Sequence, residues 1–176
     1  GATAERLGVA PDVAAAIACR LGEALDRADV VCTTGGASVG ERDVVREAFG
    51  LLGITEQFWR VAMKPGKPVV FGTLGDKLVF GLPGNPAAAM IGFEVLVRPS
   101  LLEMQGCFWR ERPRTCARLS VAVNKQPGLT YFLYGRLVAD DSGPAIELLP
   151  RQGSGMVAPA AGANAIAVLP DGRGDF

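Results

Sequence analysis

The sequence contains no histidine, and this absence excludes several kinds of catalytic and metal site. Ser-His-Asp and Cys-His nucleophilic sites need an imidazole, and so does His-ligated zinc within this chain. The cysteines, at positions 19, 32, 107 and 116, form no C-x-x-C pair, so a zinc site is not expected. Cys19 and Cys32 fall on apolar faces of predicted elements, which predicts that both are buried, inert thiols.

The chain also lacks a net charge and a long apolar run. Lys plus Arg and Asp plus Glu number 18 each, so no overall basic field indicates binding to nucleic acid or to an anionic membrane. No run reaches the roughly 18 apolar residues of a transmembrane helix, and residues 1–12 do not resemble a signal peptide. Hydrophobic residues make up 49% of the 176, enough for a core. We expect a cytoplasmic protein in which any anion site relies on local charge.

Helix and strand patterns alternate over residues 1–106. A β-branched run and an alternating run predict strands, and apolar residues at helical spacing predict helices. The main predicted elements are strands at 28–34, 57–63 and two within 69–82, with helices at 42–53 and 86–105. Gly53 is the expected stop of the first of these helices, and Pro99 is expected to kink the second. This alternation predicts an α/β domain with a mostly parallel sheet.

The pattern changes near residue 106. Residues 107–176 contain short alternating segments, "CARLSVAV", "LTYFLYGRLV", "AIELLP" and "NAIAVLP", which glycine, proline, aspartate and serine separate. Such segments predict an all-β domain, and this length suits a small barrel or sandwich. The sequence therefore predicts two domains, 1–106 and 107–176.

The loop "TTGGASVGERD" follows the first predicted strand, where ligands bind in open α/β sheets. Gly35, Gly36 and Gly40 would let the backbone approach a ligand and turn its N–H groups inward. The start of the next helix would favour an anion there. Ser38 and Glu41 also fit a capping box with no ligand, and spacing alone favours neither interpretation.

Asp43 ends this loop, at or near the first turn of the predicted helix. A carboxylate is stabilised there by the helix dipole, so a structural role needs no ligand. The functional alternative is that Asp43 holds a hard cation such as Mg²⁺ beside phosphates. Physical grounds alone favour the structural role.

The loop "MKPGKP" places Lys64 and Lys67 three residues apart, next to Pro65 and Pro68. Because proline restricts the backbone, the lysines lose less freedom when they converge on a ligand. Two ammonium groups on a rigid turn suit a dianion. The alternative is a pair of solvated lysines on a tight turn.

The stretch "GLPGNPAAAM" begins the long predicted helix. Asn85 can cap this helix, and Pro86 is favoured at its first position. Gly84 leaves the helix N-terminus open to an anion. Because any well-capped helix has this appearance, the motif does not by itself distinguish a tight turn from an anion site.

Together, "TTGGASVGERD", "VAMKPGKPVVFG" and "GLPGNPAAA", in this order, resemble the molybdopterin molybdenumtransferase family. The resemblance continues through "FEVLVRPSLLEMQG" to "RQGSGM" and "GANAIAVLP", nearly the whole chain. It implies a three-layer molybdopterin-binding α/β domain followed by a barrel-like β domain. It also implies that the chain corresponds to the C-terminal part of longer proteins, without the first strand of the α/β domain.

The resemblance implies insertion of molybdate into adenylated molybdopterin, with a divalent cation such as Mg²⁺ and release of AMP. The family's pocket residues correspond here to Gly35, Gly36, Ser38, Gly40, Pro83, Gly84, Asn85 and Pro86. Lys64 and Lys67 would hold molybdate or phosphate. Asp43 matches the functional acidic position and would hold the metal. The dithiolene sulfurs belong to the cofactor, so no protein cysteine is needed.

The resemblance also implies a homodimer whose site borrows residues from the partner's N-terminal region, so that this part alone is expected to be inactive. A molybdopterin adenylyltransferase is a possible partner. Two alternatives are a molybdopterin adenylyltransferase, which has a similar first loop, and a non-enzymatic scaffold domain as in the gephyrin branch. The "MKPGKP" loop and the β region favour the insertion enzyme.

Overall fold

Helices and strands alternate in the first part of the chain, and strands dominate the second. The computed structural model describes residues 1–36, 43–150, 152–153 and 155–176. The helices are α1 (Ala14–Leu25), α2 (Val44–Leu52), α3 (Pro86–Gly92), α4 (Arg98–Met104) and α5 (Ala158–Gly162), with a π-helical turn at Phe93–Val97. The strands are β1 (Val30–Thr34), β2 (Thr55–Trp59), β3 (Met63–Lys64), β4 (Val70–Leu74), β5 (Lys77–Leu82), β6 (Arg118–Leu119), β7 (Thr130–Asp140), β8 (Gly143–Leu148) and β9 (Ala165–Leu169). Over these ranges, no helix has the length and hydropathy to cross a membrane.

The first sheet has the strand order β1-β5-β4-β2. β1 pairs parallel with β5, whereas β4 pairs antiparallel with both β5 and β2. Three of the four strands therefore point in one direction and β4 runs against them. The sheet is mixed, with mostly parallel strand directions, as the alternation of elements predicts.

Helices cover both faces of this sheet. Val79 and Phe80 are neighbours on β5, so their side chains point to opposite faces. Val79 packs in a core with Leu21 of α1 and Phe49 of α2. Phe80 packs in a second core with Val97, which lies on the helical segment that follows β5. The predicted three-layer α/β arrangement is confirmed.

The predicted helix over 42–53 is α2, which begins two residues later, at Val44. Its end is as predicted, because Gly53 is the C-cap with φ 69°, a left-handed conformation that favours glycine. The predicted helix over 86–105 comprises α3, the π-helical turn and α4 in succession. The irregular turn immediately precedes Pro99, which lacks the N–H needed to continue the α-helical hydrogen bonds.

The prediction of one strand over 57–63 is wrong. β2 ends at Trp59 and pairs with β4 in the first sheet, whereas β3 begins at Met63 and pairs with β7 in the second. Between them Arg60 has φ 67°, uncommon for a residue other than glycine, and the backbone changes direction there. The apolar side chains continue along the segment, so hydropathy alone does not reveal the break.

The second sheet has the order β3-β7-β8-β6, and β9 also pairs with β7. The long β7 pairs with β9 over 131–135 and with β8 over 135–140. At the junction, a Cβ on Gly135 would lie 2.7 Å from Ile146 Cγ1, so glycine permits the close approach of β8. Because β7 changes partners along its length, the sheet curls into a half-barrel. The predicted all-β region is confirmed, with the short helix α5 as an unpredicted addition.

The prediction that Cys19 and Cys32 are buried is wrong for the residues as wholes, because both are exposed. The Cys32 thiol is nonetheless close enough to neighbouring atoms that burial raises its pKa to about 11. Cys32 lies on β1, at the edge of the first sheet, where the described chain supplies a partner strand on one side. Both cysteines are free thiols, as are Cys107 and Cys116.

Candidate functional site

Two of the predicted loops meet in backbone contact at one edge of the first sheet. β1 and β5 are parallel neighbours, so the residues that follow them emerge side by side. The Gly35 N–H donates to the Leu82 carbonyl at 3.1 Å. A Cβ on Gly84 would lie 3.3 Å from the Gly35 Cα, tighter than ordinary contact. Glycine at position 84 therefore allows these two loops to touch, and glycine at position 35 suits its φ of 89°.

Gly36 fits equally closely against the next helix. Its φ is 70°, and a Cβ there would lie 2.9 Å from Val45 Cγ2 in the first turn of α2. We call Gly35, Gly36 and Gly84 the glycine wall, since none of them carries a side chain and Gly35 lies against Gly84. Ser38 and Gly40, together with the proposed Ser38–Glu41 capping box, lie outside the described residues.

Asp43 is the N-cap of α2. One carboxylate oxygen, Oδ1, accepts a hydrogen bond from the Arg46 backbone N–H at 3.2 Å. The residue is only 6% exposed, and Oδ2 is buried without a hydrogen-bond partner in the described structure. Burial raises the pKa of the carboxyl group, while the N–H and charge of Arg46 act in the opposite direction. The structural role expected for Asp43 is present, and Oδ2 makes no hydrogen bond of ordinary length in the described structure.

The surroundings of Asp43 form a small network across α2 and β2. Arg46 binds Glu56 through two hydrogen bonds, of 2.7 and 3.0 Å, and its guanidinium lies 4.0 Å from the centroid of the Trp59 ring. The Trp59 indole N–H is buried, and its proximity to Asp43 also lowers the pKa of that carboxyl group. Sequence analysis did not identify Trp59, because the contact depends on how β2 lies beside α2.

The lysine loop, residues 64–68, is closed at its base. The Lys67 carbonyl accepts hydrogen bonds from the N–H groups of Val61 and Val69, both at 3.0 Å. At its tip Gly66 is buried with φ 113°, and a Cβ there would lie 3.6 Å from the Ala88 carbonyl oxygen. The lysine loop therefore packs against the first turn of α3, while the side chains of Lys64 and Lys67 remain exposed.

The third predicted loop, residues 83–86, leads into the N-terminus of α3. Asn85 occupies the N-cap position and Pro86 the first helical position, as predicted. The Asn85 side chain makes no capping hydrogen bond, so that part of the prediction is wrong. Pro83 is buried, whereas Gly84, Asn85 and Pro86 are exposed. Gly84, just before α3, lies against Gly35, and the lysine loop lies near Ala88 in the first turn of α3, so the three predicted loops approach one another around the start of this helix. We call this arrangement the loop cluster.

A narrow recess lies between the lysine loop and the second sheet. Its volume is about 10 Å³, near the space of one water molecule. The recess is lined by Pro65, Ala87, Phe132, Tyr134, Gln152, Gly153 and Met156. Gln152 is itself firmly held, because its side chain exchanges hydrogen bonds with the Tyr134 backbone at 2.6 and 2.9 Å. The "RQGSGM" segment thus reaches the loop cluster through its described residues.

Lys64 belongs to the second sheet rather than to a free loop. It pairs with Tyr131 in the parallel β3–β7 ladder, and its Nζ lies 5.1 Å from the centroid of the Tyr131 ring. Sequence analysis did not identify Tyr131, because nearly 70 residues separate the two positions and only the strand register brings them together.

Two family models match this chain. The model described as "Probable molybdopterin binding domain" matches residues 1–103, and the model described as "MoeA C-terminal region (domain IV)" matches residues 116–176. The first match alone covers more than half of the 176 residues.

Curated relatives are similar along nearly the whole chain. The molybdopterin molybdenumtransferase of Haemophilus influenzae is 34% identical over 171 residues, which cover 96% of this chain and 42% of the relative. That of Bacillus subtilis is 32% identical over 182 residues, covering 98% and 40%. The chain thus spans about two fifths of the length of these relatives.

The fold is also similar to solved structures. A molybdopterin biosynthesis moeA protein from Pyrococcus horikoshii superposes with a TM-score of 0.75 at 29% identity, covering 96% of this chain and 39% of that chain. A molybdenum cofactor biosynthesis protein from Pyrococcus furiosus gives a TM-score of 0.74 at 23% identity and covers 97% and 53%. The second likeness concerns the fold alone.

Proposed function

We propose, from the premise that this chain belongs to the molybdopterin-binding domain family, that it carries part of a site for inserting molybdate into adenylated molybdopterin. AMP would be released in this reaction of molybdenum cofactor biosynthesis. The observation that supports the proposal is the meeting of three loops around α3. Gly35 lies against Gly84, and Gly66 lies against Ala88. Each loop alone has an ordinary structural explanation, whereas their convergence forms a site with exposed cations and bare backbone.

The glycine wall would receive the pterin phosphate. Gly35 and Gly36 both have positive φ, and because the Gly35 N–H already donates to the Leu82 carbonyl, an anion would meet the N–H of Gly36. Their lack of side chains allows a ligand to reach the backbone. We assign Ser38 and Gly40 to the same wall from the family motif. Pro83, Gly84, Asn85 and Pro86 would form the adjoining wall of the pocket, at the start of the long helix.

Lys64 and Lys67 would hold molybdate or phosphate. Ammonium groups bind oxyanions through charge-assisted hydrogen bonds, and fixed cations also stabilise negative charge that develops during a reaction. Gly66 anchors the loop tip on α3, so both lysines extend from a backbone already in place. Little ordering of the backbone would then oppose binding.

Asp43 would hold Mg²⁺ beside the substrate phosphates, and its buried, unpaired Oδ2 is compatible with this role. The described residues include no group of three or more carboxylate or thiol side chains that could enclose a metal. Mg²⁺ is commonly held by one or two carboxylates together with phosphates and water, so a single aspartate is sufficient. A bound Mg²⁺ would supply charge neutralisation at the departing phosphate. Arg46 keeps the other oxygen in place for this purpose.

Two measurements test the proposed function. Titration calorimetry should show binding of adenylated molybdopterin and of molybdate, and AMP should appear when both are supplied with Mg²⁺ to a chain of the full length of the curated relatives. Formation of adenylated product from molybdopterin and ATP would instead identify an adenylyltransferase. A protein that dimerises but binds neither substrate would support the scaffold alternative.

Several finer expectations stay predictions. They are the domain division at residues 106 and 107, the homodimer, the adenylyltransferase partner and the cytoplasmic location. The two family models support the first of these in outline, since one match ends at residue 103 and the other begins at residue 116.

A further inference from the structure

We propose that Tyr131, on the second sheet, is a positioning residue that holds the Lys64 ammonium at the edge of the three-loop site. The inference rests on the proposed oxyanion-binding role of Lys64. It assigns to the β region a direct part in the site, because that region would set where one of the two cations points.

The strand register brings the two residues together. Met63 and Lys64 form β3, which lies parallel to the start of β7, with Lys64 opposite Tyr131. The Thr130 N–H donates to the Ala62 carbonyl at 2.9 Å, so the hydrogen bonds to β7 begin at the residue before β3. Directly paired residues on adjacent strands place their side chains on the same face of a sheet. Backbone hydrogen bonds therefore fix the separation of the lysine and the phenol ring.

The Tyr131 ring is itself held in place. Its hydroxyl oxygen accepts a hydrogen bond from the Gln126 backbone N–H at 3.2 Å. Lys125 lies 5.5 Å from the ring centroid, is only 7% exposed, and donates to the Leu129 carbonyl at 2.9 Å. Lys64 thus meets a ring that its own surroundings have already oriented, rather than a mobile side chain.

The electrostatics are consistent with a cation held against this ring. The N–H of Gln126 lowers the pKa of the Tyr131 hydroxyl, and the ammonium groups of Lys64 and Lys125 lower it further. A cation over an aromatic face is attracted by the ring quadrupole within about 6 Å. Among the described residues, the Lys67 ammonium makes no comparable ring contact. Of the two loop lysines, Lys64 is therefore the one whose direction depends on the second sheet.

The functional consequence is preorganisation. An exposed lysine has many rotamers, and binding an anion requires it to give up most of them. A lysine that already lies along an aromatic ring loses less freedom when the anion arrives, so its contribution to affinity is larger. Replacing the ring should thus weaken anion binding even though Tyr131 itself need not touch the anion.

The contact can be tested first without a ligand. In protein labelled with ¹³C at lysine Cε, the Lys64 signal, assigned by its loss in Lys64→Ala, should carry a ring-current shift. The shift should persist in Tyr131→Phe and vanish in Tyr131→Leu. If the Lys64 signal of the unsubstituted protein lies at the position of solvated lysines, the inference is overturned. The spectrum of the unsubstituted protein decides this without any Tyr131 variant having to fold.

The second test is a double-mutant cycle on the affinity for inorganic molybdate, measured by calorimetry. Tyr131→Leu should weaken binding about two- to fivefold, the range of exposed cation–π contacts, with a smaller loss in Tyr131→Phe. In the Lys64→Ala background, Tyr131→Leu should have no further effect. In the matched Lys67→Ala background, it should retain its full effect, because Lys67 does not contact the ring.

The outcomes separate the inference from the proposed function. If Lys64→Ala leaves molybdate affinity unchanged, the oxyanion role of Lys64 fails, and the positioning role fails with it. If Lys64→Ala weakens binding but Tyr131→Leu acts equally in both lysine backgrounds, the oxyanion role stands and the positioning role is wrong. If Tyr131→Leu weakens molybdate binding in the Lys67→Ala background but not in the Lys64→Ala background, both the oxyanion role and the positioning role are supported.

Discussion

The glycine wall and the lysine loop, the two parts of the proposed site, are held in different ways. Gly35 and Gly84 follow parallel neighbours of one sheet and touch backbone to backbone. Lys64 leaves the first sheet after the turn at Arg60 and joins the edge of the second. One side of the site is therefore a property of a single domain, whereas the other depends on contact between two sheets.

This difference indicates how substitutions should act. A side chain at Gly36 or Gly84 would be crowded, and one at Gly35 would strain a backbone with φ 89°, so changes there should reduce folding stability as well as binding. The lysines are exposed, so changes there should reduce binding with little effect on the free energy of unfolding. The predictions below test this contrast, from the largest expected effect to the smallest.

The largest effect is expected for Gly36→Ala. The added Cβ would lie 2.9 Å from Val45 Cγ2, at a residue with φ 70°. Overpacking and the strained backbone together should lower the free energy of unfolding by about 2 to 4 kcal/mol, measured by urea denaturation. Gly75→Ala, with φ 57° and open space, isolates the backbone strain. Gly50→Ala, within α2 and also in open space, should be stabilising.

Lys67→Ala and Lys64→Ala should each weaken molybdate binding about 10- to 100-fold, the range for a lost charge-assisted hydrogen bond. The free energy of unfolding should change by no more than about 0.5 kcal/mol, because both side chains are exposed. Calorimetry and urea denaturation on the same samples measure the two effects. If either lysine variant loses much stability but keeps its affinity for molybdate, the lysines stabilise the fold and do not bind the anion, contrary to the prediction.

Asp43→Ala removes the cap of α2 and should cost about 0.5 to 2 kcal/mol of stability, whereas Asp43→Asn retains a good capping residue. Burial raises the pKa of Asp43 in the folded state above its value in the unfolded state, so ionisation disfavours folding. This cost in the free energy of unfolding grows as the pH rises from the pKa of the unfolded state through the pKa of the folded state. The stability of Asp43→Asn relative to the unsubstituted protein should therefore improve over that pH window. If Asp43→Asn also keeps the Mg²⁺ requirement and the rate of AMP release, Asp43 is a helix cap only.

The smallest effect is expected for Arg46→Lys. Lysine cannot reproduce the paired hydrogen bonds to Glu56 or the stacking on Trp59, so about 0.5 to 1 kcal/mol should be lost. Arg20→Lys is the matched control, since its ion pair with Glu23 is exposed and should contribute almost nothing. Equal losses of stability in the two variants would show that the network beside Asp43 stabilises the fold no more than an exposed ion pair does.

Sequence patterns predicted most of the elements for identifiable physical reasons. Gly53 stops α2 because the C-cap is left-handed, and Pro86 begins α3 because its φ suits the first helical turn. The break after Trp59 was missed, because the apolar pattern continues while the backbone turns. The burial of Cys19 was also predicted wrongly, since helical spacing puts Cys19 on the side of α1 opposite the buried Ile17 and Leu21.

The candidate site divides in the same way. The glycines, prolines and lysines of the three loops could be proposed from local sequence, because each has a backbone or charge property that does not depend on distant residues. Trp59, Tyr131 and Gln152 could not be proposed from local sequence, because each matters through a distant neighbour. Trp59 lies beside the cap of α2, Tyr131 lies opposite Lys64, and Gln152 lines the recess next to the lysine loop. Those positions result from packing and from strand register.

By itself, the sequence determined the element types, the order of an α/β region before a β region, and the three loop motifs, since these follow from local propensity and periodicity. Only the tertiary structure decided that Gly35 touches Gly84 and that Gly66 rests on α3. It also decided that Lys64 lies against Tyr131, because a two-residue strand has no periodicity of its own and its partner is set by the pairing of the second sheet.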